Sequence, residues 1–374
     1  IAMATPVTIP LVAIVGGGIS GLVCTARLSQ LGITNSIVFD TGRRAPGGRC
    51  SSRRIYIDGD IHTFYHATQF FTMSNPCFAK IISFLHARKA VRVCNGCIVD
   101  LCGRGKYSEV KGLQAFVRTS GMQSIPESLT TLVQLKVNTW VSSVRWDTGV
   151  KKWQVDDHGW FYYLLVAHNG KCADRLMAGS GVPVLGPKAN LMQLCFLWVL
   201  LAAFPRKLEL GYEGAFVEHK DVLRIGNNAA KYSSSSQLEC GTIISTKSFG
   251  TIHKVPQEHI PPSKEKEVTG KLLEGFAEVT DVDLKALRPR FSKAQLWGAA
   301  NPLNVLHGAE CVFKASHNVG ICGDWLVSPC VEGVAVSGLA LAEVLSTHWD
   351  RERKDVGLRP VFVPTESKAI GMFP

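Results

Sequence analysis

Three glycines and one acid near the start of the chain have the spacing of a phosphate-binding turn. Gly16, Gly18 and Gly21 form a G-x-G-x-x-G pattern directly after the apolar run 11–15, and Asp40 follows nineteen residues after Gly21. In such a turn the first glycine permits a tight bend, the second lets the backbone approach a pyrophosphate, and the third lets helix and strand pack closely. The acid would accept hydrogen bonds from a ribose. The pattern therefore predicts a dinucleotide site.

The elements that must position these residues form the beginning of a βαβ unit. The apolar periodicity predicts a helix over residues 19–31, ended by Gly32, and a second strand over residues 36–39 that delivers Asp40. At the helix start, Ile19 and Ser20 would offer backbone N–H groups and a positive dipole end to the phosphates. A glycine pattern alone is weak support, but the strand, helix, strand and acid together are strong.

A basic, glycine-rich segment follows Asp40 directly. Two glycines can bring backbone N–H groups against phosphate oxygens, and arginines can neutralise the charge. The alternative is a solvated basic loop. The candidate cofactor-binding residues in this segment are Thr41, Arg43, Gly47, Gly48 and Arg49.

A second motif of the same kind lies near the other end of the chain. A short strand over residues 319–322 precedes a G-D pair, and an E-G-V-A-V-S-G run then opens a helix that extends to about residue 346. A helix N-terminus stabilises negative charge placed next to it. By the family resemblance given below, the candidate cofactor-binding residues here are Gly323, Asp324, Glu332, Gly333 and Val334.

The two motifs together resemble those of renalase-like FAD/NAD(P)-binding oxidoreductases, within the amine oxidase-related flavoprotein superfamily. The resemblance covers residues 12–346, and the phrase H-N-G-K-C-A-D-R-L at residues 168–176 is closest to plant and algal members. It implies a non-covalent FAD whose pyrophosphate and ribityl chain contact the G-G-R segment and Asp324. It also implies that Val141 presents its backbone to the adenine. Val334 stands where the family has alanine.

The segment over residues 64–72 carries the candidate catalytic residues. Its sequence F-Y-H-A-T-Q-F-F-T resembles the family's F-D-H-G-A-Q-Y-F-T, which in relatives passes close to the flavin ring. By this resemblance His66 would set the electrostatics of the ring, and Gln69 would hydrogen-bond the substrate or the pyrimidine edge. Tyr65 replaces an acid in this pattern. The alternative is that His66 is satisfied inside a packed strand.

The expected fold class is α/β, with a Rossmann-like FAD-binding domain built on a parallel sheet and a smaller α+β substrate domain built on a mostly antiparallel sheet. A helical pattern is predicted over residues 113–128, with a break near Gly121. The expected boundaries are 10–75, 110–181 and 293–350 for the FAD-binding domain, 76–109 and 182–292 for the substrate domain, and 351–374 for a C-terminal tail.

Composition excludes several other classes of protein. The net charge is +11, but no run of five basic residues occurs, so we expect no nucleic-acid partner. The longest apolar run, residues 191–204, is shorter than the roughly 20 residues that a membrane-spanning helix needs. Among the twelve cysteines, Cys94, Cys97 and Cys102 form C-x-x-C-x-x-x-x-C without a second pair or a nearby histidine, so we expect reduced thiols and no metal.

The resemblance implies an FAD-dependent oxidase that takes a hydride from a small substrate to the flavin N5 and passes the electrons to oxygen. Isomers of NAD(P)H are one expected substrate class; an amine, a carotenoid or a porphyrinogen is the alternative, and a flavin-binding assembly or regulatory protein without turnover is a third. Residues 1–5 resemble a trimmed end. We expect the chloroplast or the cytoplasm, with any targeting peptide outside this sequence.

Overall fold

The computed structural model describes residues 11–43, 45–94, 96–118, 121–231, 236–350, 355–356 and 361–365. Within these ranges the chain forms helices separated by many short strands. The helices are α1 Ile19–Gln30, α2 Pro76–Ala87, α3 Ser124–Thr130, α4 Gly170–Ala178, α5 Lys247–Ile252, α6 Pro262–Thr280 and α7 Val331–Asp350. Short 3₁₀ turns occur at Gly48–Cys50, Gly186–Leu191, Ala229–Lys231, Leu284–Ala286 and Ala315–His317.

The strands belong to six separate sheets of two to seven strands. In chain order they are β1 Val12–Val15, β2 Ser36–Phe39, β3 Ser52–Ile57, β4 Asp60–Tyr65, β5 Arg92–Val93, β6 Ile98–Leu101, β7 Tyr107–Glu109, β8 Phe116–Val117, β9 Gln134–Lys136, β10 Val144–Asp147, β11 Lys152–Val155, β12 Trp160–Phe161, β13 Tyr163–Val166, β14 Leu197–Phe204, β15 Gly214–Val217, β16 Val222–Asn227, β17 Glu239–Ser245, β18 Phe291–Trp297, β19 Asn304–His307, β20 Val312–Lys314, β21 Val319–Ile321 and β22 Val361–Pro364.

A six-stranded sheet in the order β20-β21-β13-β1-β2-β9 confirms the predicted Rossmann-like architecture. All of its pairings are parallel except the edge pairing of β20 with β21. The four residues of β1 are all buried, as are those of β13, because these central strands have helices or a further sheet on both faces. The strand that precedes the glycine motif therefore lies in the middle of the sheet.

Helices α1 and α7 pack closely beside this sheet because glycines allow their backbones to approach. A Cβ atom on Gly21 would collide with the carbonyl oxygen of Gly16, and one on Gly338 would collide with the carbonyl oxygen of Ser20. The apolar sides of the two helices meet β1 and β13 in one buried cluster that includes Leu28 and Leu341. The two glycine-rich motifs are therefore brought together by direct helix contact.

A seven-stranded sheet in the order β18-β14-β17-β16-β15-β6-β7 forms the second layer. Its pairings are antiparallel apart from β15 with β6, which confirms the expectation of a mostly antiparallel second sheet. All eight residues of β14, which lies between β18 and β17 and contains most of the apolar run 191–204, are buried. Helix α6 covers one face with Val268, Leu272 and Phe276.

Two of the expected domain boundaries do not coincide with the layers of the structure. Strand β18 spans the boundary placed between residues 292 and 293, yet its whole length pairs with β14. Helix α2, which was assigned to the substrate domain, packs in one apolar cluster with α1, α3 and α7. Since strands β6 and β7 do join the seven-stranded sheet, only the second half of the segment 76–109 lies in that layer.

The predicted helical pattern over residues 113–128 is wrong for its first half. Residues Phe116–Val117 form β8 and pair with β5, and the helix α3 starts only at Ser124. The apolar residues of this stretch belong to an extended segment that packs on Phe71, which periodicity alone could not distinguish from a helix. No helix in the part of the chain described here is long and apolar enough to cross a membrane.

Candidate functional site

A long groove begins at the glycine turn between β1 and α1 and ends at the start of α7. It encloses about 1310 Å³, including the part open to solvent. Its walls come from the loops after β1, β2, β13, β18 and β21. In parallel α/β sheets ligands bind at this carboxyl end of the strands. The groove is thus the expected place for a dinucleotide, and it connects the two sequence motifs.

Asp40 occupies the position after β2 that the ribose acid requires. Its Oδ2 accepts a hydrogen bond from the Gly17 N–H at 2.9 Å, and its Oδ1 accepts one from the Gly42 N–H at 2.8 Å. Each carboxylate oxygen has two lone pairs, so both can still accept a hydroxyl hydrogen from a ligand. Gly16 has φ of +117°, and a Cβ there would lie 2.8 Å from the Ala167 carbonyl oxygen. Glycine is therefore required at this turn.

The start of α1 faces open space. Gly18 is the N-cap residue with extended backbone, and a Cβ built on it would meet nothing within 4 Å. The first helical hydrogen bond runs from Leu22 N–H to Gly18 O, so the N–H groups of Ile19 and Ser20 precede the helical ladder. The basic segment is tied to this turn, since Gly47 N–H donates to Gly17 O at 2.8 Å. This arrangement provides an anion-binding end for the groove.

The far side of this end contains aromatic and imidazole groups. Val141 is buried and lines the groove beside Trp140, whose side chain is 70% exposed. His168, after β13, has its Nδ1 buried without a hydrogen-bond partner, and burial lowers its pKa to about 4. His168 is therefore neutral at physiological pH. Its side chain lies against the Gly16 turn.

At the other end of the groove, Asp324 is only 2% exposed. Its Oδ2 is 2.6 Å from Arg49 Nη1, an atom that also donates to the Ala300 carbonyl at 2.6 Å. Asp324 Oδ1 is buried and has no hydrogen-bond partner. A buried charged acceptor costs free energy unless it is paired. This oxygen, at the wall of a groove, is therefore placed to accept a hydrogen bond from a ligand.

The start of α7 forms the end wall of the groove, with Cys330, Val331 and Val334 lining it. Glu332 turns elsewhere: its carboxylate accepts hydrogen bonds from both the N–H and the hydroxyl of Ser74 and from the N–H of Asn75. These contacts join the start of α7 to the start of α2. The position of Glu332 therefore favours a structural role over a contact with a ligand in the groove.

His66 lies directly after β4 and is buried, with 1% of its surface exposed. Its Nε2 is 3.1 Å from Ser51 Oγ, and that hydroxyl already donates to the Gly48 carbonyl. Nε2 is then the donor, and Nδ1 is left unprotonated and without a partner. Burial lowers the pKa of His66 to about 3. Its ring contacts the indole of Trp297 edge-on, 5.3 Å between centroids, so His66 stands behind a groove residue.

Gln69 is buried in a network of hydrogen bonds to the seven-stranded sheet. Its Nε2 donates to the carbonyls of Tyr65 and Ala67, and its Oε1 accepts from Asn228 Nδ2 at 3.2 Å and Lys231 Nζ at 3.3 Å. All of its polar groups are thereby used within the protein. The residue of this segment that reaches the groove is Thr68.

Most of the predicted cofactor residues are brought together at the groove. Those that line it are Gly16, Gly18, Ile19, Ser20, Asp40, Thr41, Gly47, Gly48, Arg49, Val141, Gly323, Asp324 and Val334. Gly21, Arg43, Glu332 and Gly333 lie outside its lining, as do His66 and Gln69. Gly21 and Gly333 have packing roles, because a Cβ on Gly333 would collide with Ser328.

Sequence reasoning missed several residues that line the groove, namely Thr68, Trp140, His168, Gln257, Trp297 and Cys330. Thr68 and His168 lie within stretches that resemble family motifs, but the resemblance assigns no role to either residue. Trp297 and Gln257 carry no local signal, because they enter from β18 and from the loop after α5. The Gln257 Oε1 accepts the Gly298 N–H at 2.8 Å, which links that loop to the wall at Trp297.

Comparisons with known proteins agree with this architecture. A family of NAD(P)-binding Rossmann-like domains matches residues 14–85. Among solved structures, a putrescine oxidase triple mutant from a redesign of cofactor binding has 11% identity and a TM-score of 0.62, over 92% of this chain and 99% of its own. Cyclohexylamine oxidase from Brevibacterium oxydans IH-35A has 11% identity and a TM-score of 0.64, over 91% and 100%.

A fatty acid isomerase from P. acnes that produces CLA has the same fold, with 11% identity and a TM-score of 0.62 over 90% of this chain and 98% of that one. At such identities the likeness shows the fold alone. Two oxidases and an isomerase share it, so the fold does not by itself select a reaction. The three matches nevertheless cover at least 90% of this chain.

Proposed function

We propose that this protein is an FAD-dependent oxidoreductase that binds its flavin non-covalently in the groove. One observation carries the proposal: a single groove joins the nucleotide-type turn at Gly16 and Asp40 to a buried carboxylate, Asp324, with an oxygen that lacks a partner. A dinucleotide that extends to the start of α7 accounts for both ends.

Each part of the groove has a role toward that cofactor. Asp40 would accept the ribose hydroxyls, the N–H groups at the start of α1 would bind the pyrophosphate, and Val141 and Trp140 would border the adenine. Arg49 would neutralise phosphate charge, and Asp324 would accept a hydroxyl hydrogen of the ribityl chain. The residues present therefore fit FAD.

When bound, FAD would supply hydride acceptance at its N5 and return of the electrons to oxygen, with release of hydrogen peroxide. The protein would contribute orientation and electrostatics. The N-terminus of α7 at Val331 would stabilise negative charge on the pyrimidine side. Trp297 and Thr68 would limit the approach of a donor and of water. His66, neutral and behind Trp297, would support the packing of that indole.

For the substrate, we favour a small hydride donor of the renalase type, such as an isomer of NAD(P)H reduced at an unproductive ring carbon. The net charge of +11 supports an anionic substrate. An amine is the second candidate, because two of the similar structures are a putrescine oxidase and a cyclohexylamine oxidase. We call the end of the groove at Asp324 and the start of α7 the ring end. Among the described groove residues, Trp297 is the one aromatic side chain at this end. A single aromatic side chain does not provide a cage of two facing rings for an amine.

The test begins with purified protein titrated with FAD, for the wild type and for Asp324→Asn. We expect tight binding by the wild type and binding weaker by roughly tenfold or more in the variant, because a charged acceptor is lost. Anaerobic mixing with isomers of NAD(P)H, with putrescine and with cyclohexylamine would then identify the donor that bleaches the flavin absorbance. Absence of FAD binding by the folded wild type contradicts the proposal. Binding without bleaching by any donor favours a non-catalytic flavoprotein.

A further inference from the structure

Lys231 is a fully buried lysine for which the proposed reaction has no use. It ends the 3₁₀ turn after β16, and none of its surface is exposed. Its Nζ lies 3.2 Å from the Gln69 carbonyl oxygen and 3.3 Å from Gln69 Oε1, and it sits over the Tyr65 ring at 4.6 Å from the centroid. A buried ammonium is costly unless such contacts stabilise it.

The lysine holds a segment whose other side forms a wall of the groove. Thr68, next to Gln69, lines the groove and donates to the Arg49 carbonyl from its N–H at 3.2 Å and from its hydroxyl at 3.1 Å. Arg49 in turn pairs with Asp324 at 2.6 Å. A continuous set of contacts therefore runs from Lys231 through Gln69 and Thr68 to the pair that borders the ring end.

A second set of bonds fixes the same segment independently of Lys231. Asn228 Oδ1 accepts from the Tyr65 N–H at 2.9 Å and from Thr242 Oγ1 at 2.9 Å, and Thr242 Oγ1 lies 2.9 Å from the Tyr65 carbonyl. These contacts hold the beginning of the segment at Tyr65. Gln69, at its end, depends on Lys231 and on the amide of Asn228. Removal of the lysine should therefore loosen the Thr68 end while the Tyr65 end remains anchored.

We propose that Lys231 is a positioning residue, which acts through Gln69 and Thr68 to set the place of the flavin ring and so couples the seven-stranded sheet to the groove. This inference rests on the proposed FAD site. A charged amine makes stronger hydrogen bonds than a neutral one. Loss of its proton should weaken the hold on Gln69, and the environment of the bound ring should change with it.

The neighbours of the amine determine the pH at which that change occurs. Burial lowers the pKa of Lys231 to about 8, an effect that Glu213 and Cys94 oppose and Arg92 reinforces. Burial raises the pKa of Cys94 to about 12 and also raises that of Tyr65, so neither of them titrates near pH 8. Arg92 is anchored nearby, since its Nη2 donates to the Lys231 carbonyl at 3.0 Å.

The variants Lys231→Met and Lys231→Arg separate charge from volume, and Lys207→Met is the matched control. Lys207 belongs to the same layer but is 41% exposed and pairs with Glu239 at 3.9 Å. With FAD bound, the visible circular dichroism of the flavin is followed from pH 6 to 10. We expect one transition near pH 8 in the wild type and in Lys207→Met, and none in Lys231→Met or Lys231→Arg. FAD should also bind roughly 2- to 30-fold more weakly to Lys231→Met.

A second measurement needs no cofactor. The indole N–H of Trp297 donates to the His66 carbonyl at 3.4 Å, so the fluorescence difference between wild type and Trp297→Phe reports on the segment in the apoprotein. We expect this fluorescence difference to change with a midpoint near pH 8 only when Lys231 is present. Persistence of the transition in both Lys231 variants, or its absence from the wild type, overturns the inference. Lys231→Arg keeps the test valid if Lys231→Met does not fold. Failure to bind FAD with an intact fluorescence transition would instead contradict the proposed function.

Discussion

The two ends of the groove are built in different ways. At the nucleotide end, the turn at Gly16, the start of α1, Asp40 and the G-G-R segment all come from residues 15–49, and hydrogen bonds among them fix the geometry. At the ring end, residues from two distant parts of the chain meet: Arg49 and Thr68 come from one, and Ala300 and Asp324 from the other. The first end is therefore a local structure, while the second exists only after both sheets have assembled.

This difference predicts that substitutions at the two ends fail in different ways. Changes at the nucleotide end should weaken FAD binding while the fold persists, because the turn is supported locally. Changes behind the ring end should lower stability, because those side chains connect separate layers. The predictions below test this contrast, from the variant with the largest expected effect to the one with the smallest.

The largest effect is expected for His66→Ala. Removal of a buried ring that packs on Trp297 should cost about 3 kcal/mol of unfolding free energy, typical of truncating a large side chain in a core. The rate of flavin reduction in the folded fraction should remain close to that of the wild type, because His66 does not line the groove. Melting curves and rapid-mixing reduction rates measure the two quantities. A lower rate with unchanged melting temperature would return His66 to a role beside the ring.

A second prediction for His66→Ala concerns the pH dependence of stability. The folded pKa of His66 is about 3, below the usual 6.5, so the unfolded chain binds the extra proton as the pH falls below 6.5. Through this group, the free energy of unfolding of the wild type should consequently decrease by about 1.4 kcal/mol for each unit that the pH falls between 6.5 and 3. His66→Ala should lack this contribution. Chemical denaturation at pH 7 and pH 5 gives the free energy of unfolding of both proteins. An equal change in this free energy between the two pH values, for wild type and His66→Ala, would contradict the prediction.

A smaller effect is expected for Asp40→Ala, at the nucleotide end. The loss of a hydrogen bond to a charged acceptor costs about 1.5–3 kcal/mol, so the FAD dissociation constant should rise roughly tenfold to a hundredfold. Asp40→Asn should lie between, and Asp58→Ala, at an exposed hairpin tip, serves as control. Titration calorimetry gives the affinity. Unchanged affinity in a folded Asp40→Ala would mean that this carboxylate does not bind the ribose.

The smallest effect is expected for Glu332→Ala. Its carboxylate ties Ser74 and Asn75 to the start of α7 at a partly exposed site, so its loss should cost about 1 kcal/mol of stability. FAD affinity should not change, although the family resemblance placed Glu332 among the cofactor residues. Denaturation and FAD titration separate the outcomes. Weaker binding at equal stability would restore the cofactor role.

The sequence alone was enough to place those groove residues whose position depends on neighbours along the chain. Gly16, Gly18 and Asp40 could be placed because their spacing encodes the turn that holds them. His66 and Gln69 could not, because their surroundings are set by Asn228, Lys231 and Trp297, more than 150 residues away. The family resemblance indicated a segment near the flavin ring but not which of its side chains would reach the groove.

The same reason explains the errors in the fold. The two-layer α/β class followed from apolar runs and glycine patterns, which are local. The boundary at residue 293 failed because β18 is defined by its pairing with β14, and the helix expected from residue 113 failed because β5 pairs with that stretch. Pairing partners far apart in sequence leave little trace in a single chain.

The order of strands in the six-stranded sheet has a consequence for how the protein is made. Strand β1 leaves the ribosome about 150 residues before its neighbour β13, and β21 on the far side of β13 comes about 150 residues after that. Contacts of such long range form slowly. The turn between β1 and α1 is therefore synthesised about 300 residues before β21, the last strand of the parallel part of its sheet. Flavin loading would be a late step of biogenesis, because Asp324, at the other end of the groove, follows β21.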